Sequence, residues 1–254
     1  MTISTDPDSS RTAAFRRRGM ALAMLVAPAF FVLANSAGAW ETRSGGTDES
    51  GKAALALALA YPGLGRFSMV TAMIGSLLIV PATLGAMRLT QRRAARVGLV
   101  GGLLVSTAYI CYFAMVSGDR FELAMAARGT NLDDYATVLD QSLNGASVVW
   151  YFLLFALGSL VGTFLLGLAL RRSRSIPAWA ALAVMAWSIL KIPELLGLWW
   201  IEVVGSVLLV AGFAAAGVVL WRQDPATGSA TAAVAEVDEH GHHATAVGVG
   251  VEQS

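Results

Sequence analysis

Apolar and polar positions fall in long blocks, without the short alternation of strands. Apolar stretches run over about Gly19–Trp40, Ser68–Met87, Val97–Ser117 and Ala146–Leu170. A hydrocarbon layer about 30 Å thick is crossed by about 20 apolar residues in helical form. Each stretch therefore predicts one transmembrane helix. A further apolar region, Pro177 to Trp221, is more than twice that length. Lys191, Pro193, Glu194 and Gly197 mark a turn that divides it into spans at about Pro177–Leu196 and Trp200–Trp221. The expected fold class is an all-α polytopic membrane bundle of six transmembrane helices. A cytoplasmic arm over 1–18 precedes a transmembrane domain over 19–222, and a cytoplasmic tail over 223–254 follows it.

Charge orients the spans. Arg16–Arg18, then Arg88, Arg92, Arg93 and Arg96, then Arg171, Arg172 and Arg174 each flank an apolar stretch, and no cluster contains an acid. Six spans place all three clusters and Arg222 on one side. The other side has Arg43, Lys52, Arg66, Arg120, Arg128 and Lys191, diluted by most of the 17 acids. Basic loops stay cytoplasmic, so both termini are expected inside. Tryptophans fall at span ends as at lipid headgroups: Trp40, Trp150, Trp199 and Trp200 outside, Trp179 and Trp221 inside, with Trp187 alone mid-span. A rival reading remains for span one. Arg16–Arg18, an apolar core and Ala37-Gly38-Ala39 also fit a signal peptide. Cleavage after Ala39 would leave five spans.

The first two outer loops are long. Residues 41–67 begin polar, turn apolar over Ala53–Tyr61 and break at Pro62-Gly63. In residues 118–145, Leu132, Tyr135, Ala136, Leu139 and Leu143 recur at helical spacing, opposite an acidic face that includes Asp133, Asp134 and Asp140. Each loop is expected to hold a short surface helix, serving either as packing over the bundle or as a lid over an outward cavity. A faint parallel repeat aligns Gly75-Ser76-Leu77-Leu78, ending at Arg88, with Gly158-Ser159-Leu160-Val161, ending at Arg171. Gly98 and Gly102, Gly158 and Gly162, and Gly212 and Ala216 are spaced for close helix contact. Pro28 and Pro81 are candidate kinks. The tail lacks large apolar residues and is expected to be disordered. It holds the three histidines, His240, His242 and His243, a weak metal tract beside Asp238 and Glu239.

Composition narrows the chemistry. The chain is 56% hydrophobic and 14% charged, against about 25% charged in soluble domains. A net charge of +1 with dispersed basic residues predicts no nucleic-acid partner. Cys111 is the single cysteine, so no intramolecular disulfide can form. Spans one to four contain no Asp, Glu, Lys, Arg or His. That excludes a histidine pair for haem, a histidine-based zinc site and a relay of buried acids within them. No P-loop or GxSxG elbow is present, and Gly101-Gly102 lies mid-helix. No cofactor and no catalytic residue are expected.

One polar group approaches the bilayer. Lys191 and Glu194 end span five, and Trp199, Trp200 and Glu202 begin span six. They read either as an interfacial anchor with a local ion pair or as an outer-leaflet ligand site, where Glu202 takes a cationic group and the tryptophans supply apolar or cation–π contact.

The run Leu166-Gly167-Leu168-Ala169-Leu170-Arg171-Arg172-Ser173-Arg174-Ser175-Ile176-Pro177, with Pro193-Glu194 and the stretch from Glu202 to Gly205, resembles a bacterial six-span membrane family of the domain-of-unknown-function type, numbered 4386. The resemblance covers roughly residues 146–215. It implies six spans and cytoplasmic termini, and it brings no activity. The expectation is a non-enzymatic protein of a bacterial plasma membrane that binds a lipid or apolar small molecule or scaffolds a membrane partner, as a homo-oligomer or with another protein. The alternative is a transporter or its accessory subunit. An outer-surface enzyme using Asp133, Asp134 or Asp140 is a third class.

Overall fold

The computed structural model describes residues 7–43, 50–194 and 199–223. Among them the fold is entirely helical: α1 (Pro7–Thr42), α2 (Gly51–Ala60), α3 (Pro62–Thr90), α4 (Ala95–Val116), α5 (Asp119–Arg128), α6 (Leu132–Leu143), α7 (Ala146–Ser173), α8 (Ala178–Glu194) and α9 (Trp199–Arg222). The histidine tract and the rest of the tail lie outside the described residues.

Five of these helices are long and apolar enough to cross a membrane. Helix α8 has 17 residues, or about 26 Å at 1.5 Å per residue. The helices overrun the apolar stretches at their basic ends. Helix α1 includes Arg16–Arg18, and α7 includes Arg171 and Arg172. Arginine favours helix, and its long stem lets the charge reach water from a helix end.

The six longest helices form a closed ring in chain order. Helix α1 packs on α3, α3 on α4, α4 on α7, α7 on α8, α8 on α9, and α9 returns to α1. Met24, Ile79, Leu166 and Phe213, all nearly inaccessible, fill its middle. The outer faces carry exposed Leu25, Leu77, Leu103, Leu157 and Val207. In water such a surface would be a large aggregation liability; in lipid it costs nothing.

Small residues set the closest approaches. A β-carbon at Gly158 would lie 2.7 Å from the Leu104 carbonyl oxygen of α4, and one at Gly162 would lie 2.8 Å from the Val105 nitrogen. Helices α4 and α7 can meet backbone to backbone only because those side chains are missing. Gly212 does the same for α9 against Ala180 of α8. The two Gly-Ser repeats occupy equivalent places: Gly75 faces Phe30 and Phe31 of α1, and Gly158 faces Leu104 and Ala108 of α4, in each case on the preceding ring helix.

Buried Thr83 and Ser76 are satisfied within their own helices, whereas the buried Ser188 Oγ of α8 has no hydrogen-bond partner among the described residues. Thr83 donates to the Ile79 carbonyl at 2.7 Å and Ser76 to that of Ala72 at 2.7 Å. An interhelical polar contact joins α1 to α9, where the Asn35 amide donates to Ser206 Oγ at 2.7 Å. Pro28 and Pro81 lie inside α1 and α3, and both helices continue through them.

The ring has two dissimilar ends. At one, Arg18 lies over the Trp221 ring at 5.6 Å, and the loops carrying Arg92–Arg96 and Arg171–Arg174 come together. At the other, α2, α5 and α6 pack through Leu55, Ala58, Ala126 and Ala136 into a cap with its own small core. The expected break at Pro62-Gly63 falls at Tyr61, the sole residue between α2 and α3, and Pro62 itself starts α3. Proline is tolerated at a helix start because its missing N–H has no partner there anyway.

Candidate functional site

The cap covers a cavity of about 450 Å³. Gly38, Ala39 and Glu41 from the end of α1 form one wall. Leu57 and Ala58 of α2 lie above. Ser68 and Met69 of α3 form the floor, and Asp119, Glu122 and Leu123 of α5 close the side. Four helices that end or begin at this level therefore contribute, and no single segment could make the site.

Local structure explains how each wall is held. The Ser68 hydroxyl donates to the Ala34 carbonyl at 3.2 Å, fastening α3 to α1 beneath the floor. Glu41 lies against the first turn of α3: a β-carbon at Gly65 would be 3.6 Å from its Oε1. A helix start carries partial positive charge, which favours a carboxylate there. The Arg43 guanidinium sits 4.2 Å from the Trp40 ring centre and 5.4 Å from that of Tyr61, and it donates to the Trp40 carbonyl. This holds the end of α1 to the α2–α3 junction. Asp119 and Glu122 share the first turn of α5, which ends in Arg128 and left-handed Gly129. Acids at the start and a base at the end suit the helix dipole.

The roof is anchored by Asp140 of α6, whose Oδ1 accepts from the Gly51 N–H at 2.7 Å. Ser50 Oγ adds a weaker cap from the Ala53 N–H at 3.3 Å. Gly51 must be glycine-sized, because a β-carbon there would lie 2.4 Å from the Ala136 carbonyl oxygen. Lys52 and Asp133 approach to 3.9 Å, but both side chains are almost fully exposed, so the pair contributes little. Of the loop acids singled out from the sequence, Asp140 thus joins cap helices, and Asp133 faces solvent.

Below the floor, Met69 packs on a cluster of Ala34, Ala72 and Val116 with Tyr112. Tyr112 stacks on Phe155 at 4.6 Å, and Tyr109 meets Phe31 at 4.9 Å. The cavity is therefore lined by three acids together with Leu57, Met69 and Leu123, and a packed aromatic cluster lies below its floor.

The expected site between α8 and α9 is only partly described. Lys191 lies 5.7 Å from the ring centre of buried Trp187, and Trp200 is exposed on α9. The side chains of Glu194, Trp199 and Glu202 lie outside the described set, as do residues 195–198. The cap cavity draws on none of these residues. Among the described residues no group of three His, Cys, Asp or Glu side chains could hold a metal ion.

Sequence reading missed Glu41, Asp119 and Glu122 as a set. Faint signals existed: Glu41 follows the interfacial Trp40 directly, and Asp119 and Glu122 stand three apart at a helix start. No protein-family model matches the chain, and neither a curated protein nor a solved structure matches it. On its own geometry, with five helices long and apolar enough to span a bilayer, the chain is built as a multi-pass membrane protein.

Proposed function

We propose that the protein is a six-span plasma-membrane protein with both termini in the cytoplasm, and that it binds an amphiphile without turning it over. Helix α8 would supply the sixth crossing: it holds a full place in the ring between α7 and α9. The likeness of residues 146–215 to the family numbered 4386 fits that span count and brings no activity. Exposed Trp200 and Trp221 on α9 stand about 32 Å apart along the helix, which matches a hydrocarbon layer.

The observation that carries the binding reading is the cap cavity. Its volume of about 450 Å³ falls within the range of small-molecule sites, about 300–1,000 Å³. Glu41, Asp119 and Glu122 favour a cationic head, and Leu57, Met69 and Leu123 favour a hydrocarbon tail. Transport would require a path through the ring centre, where Met24, Ile79, Leu166 and Phe213 are packed.

The test compares dodecyltrimethylammonium with dodecyl sulfate, two amphiphiles of one chain length and opposite charge. Purified protein should bind the cation selectively. Glu41→Gln with Glu122→Gln should weaken that binding by about tenfold, the loss expected for a charge-assisted contact. Equal binding by the double variant would overturn the reading. Flux of a solute in proteoliposomes would favour transport instead.

A further inference from the structure

The arginine end carries more than orientation. An open pocket of about 350 Å³ lies between the α3–α4 turn and the end of α7, and it is lined by Arg92, Arg93, Arg96 and Arg172. Its other wall is the first turn of α4, Ala95–Val97. No side chain caps that turn and no acid lies in it, so its outward-pointing N–H groups add to the positive field. Among the described residues, none of the four arginines meets a carboxylate within 4 Å.

The pocket is held in shape. The Ser175 hydroxyl donates to the Leu89 carbonyl, tying the loop after α7 to the end of α3. Arg174 makes that possible by adopting a left-handed conformation at the end of α7. On the other wall, Arg93 and Ala94 donate their N–H groups to the Thr90 carbonyl, and Gly98 packs directly on Thr90. Orienting a membrane protein needs charge on a loop; it does not need two loops fixed against each other. About one turn beyond Arg96, α4 exposes Leu99, Val100 and Leu103, so the pocket opens beside a strip of lipid-facing surface.

We infer that this pocket binds a phosphate group, presented by the headgroup of an anionic phospholipid whose acyl chains lie along α4. Arginine forks bond phosphate oxygens in pairs, a helix start favours an anion, and the apolar strip gives the chains a place that free phosphate would not use. Basic pockets between membrane helices have this general capacity. The inference stands apart from the cap cavity, because the two sites share no residue.

The test is native mass spectrometry of the full chain in mixed micelles with equal phosphatidylglycerol and phosphatidylcholine of identical chains. Wild type should retain phosphatidylglycerol preferentially. Substituting the four lining arginines by glutamine should lower that retention by about tenfold or more, while Arg88→Gln, Arg171→Gln and Arg222→Gln together, from the same end but off the pocket, should change it by about twofold or less. Equal loss in both sets would mean general surface charge and would overturn the site. So would absence of a headgroup preference in wild type. Displacement of the lipid by excess inorganic phosphate would assign the pocket to a free anion instead and overturn the lipid assignment. If the fourfold variant does not assemble, Arg96→Gln and Arg172→Gln, one from each wall, should each reduce retention by about fivefold. Unchanged retention in both would equally reject the site.

Discussion

The two ends of the ring solve opposite problems. At the arginine end, helices overrun the apolar layer, and short loops are clasped by Ser175 and Thr90. The arginine clusters there contain no acid. At the cap end, long connections fold into three short helices whose small core rests on Leu55, Ala58, Ala126 and Ala136. Charge there is mixed, and a cavity is left underneath. The membrane interior between them is closed by glycine contacts. Polar chemistry has been moved to the two ends, and each end has a pocket suited to a charge of opposite sign. The cap end is also the less strongly held, since few apolar side chains fasten it.

The largest effect is expected at the ring itself. Gly162→Val would drive a side chain into the Val105 nitrogen, 2.8 Å from where a β-carbon would sit. The expected cost is about 2–3 kcal/mol, lost from both ends together, and thermal unfolding in detergent would report it. Retained thermal stability would mean that α4 and α7 do not meet as described. Next is Gly51→Val, which collides with the Ala136 carbonyl. About 2 kcal/mol should be lost from the cap alone. Hydrogen exchange should accelerate in α2 and α6 while α3 and α4 near Arg92–Arg96 stay unchanged; uniform acceleration would show that the cap is not a separate unit. Asp140→Ala removes the bond to the Gly51 N–H and should cost about 1 kcal/mol, seen as faster exchange in α2. Smallest is Lys52→Ala with Asp133→Ala, where the exposed pair predicts a change within about 0.5 kcal/mol. A larger loss would make that pair a true fastener of the roof.

The long helices were legible because a bilayer demands an uninterrupted apolar run, and such runs are visible one residue at a time. Helix α6 was equally readable, since Leu132, Tyr135, Leu139 and Leu143 keep one face. Helix α5 was not singled out. Its sequence, Asp119–Arg128, is too short and polar for periodicity to stand out, although its acids, base and terminal Gly129 follow helix-end chemistry. The break at Pro62 is legible because proline cannot sit in a helix interior, whereas it is tolerated at a first position, so the residue that ends the α2 run also starts α3. The cavity was hidden for a different reason. Glu41 and Glu122 are far apart in the chain, and only the pairing of α1 with α3, and the descent of α5 beside them, brings them to one space. The arginine pocket was hidden by an adequate simpler explanation, since topology alone accounts for the clusters until their geometry is seen.

In the proposed topology these ends face different compartments, with the cap and its cavity outside. Single cysteines placed by Asp134→Cys on the cap and Gln91→Cys at the arginine end, in a Cys111→Ser background, can be labelled with a membrane-impermeant maleimide in intact cells. Both positions are exposed. The account predicts labelling at 134 in intact cells and at 91 only after permeabilisation. The reverse pattern, or labelling of both from one side, would contradict it.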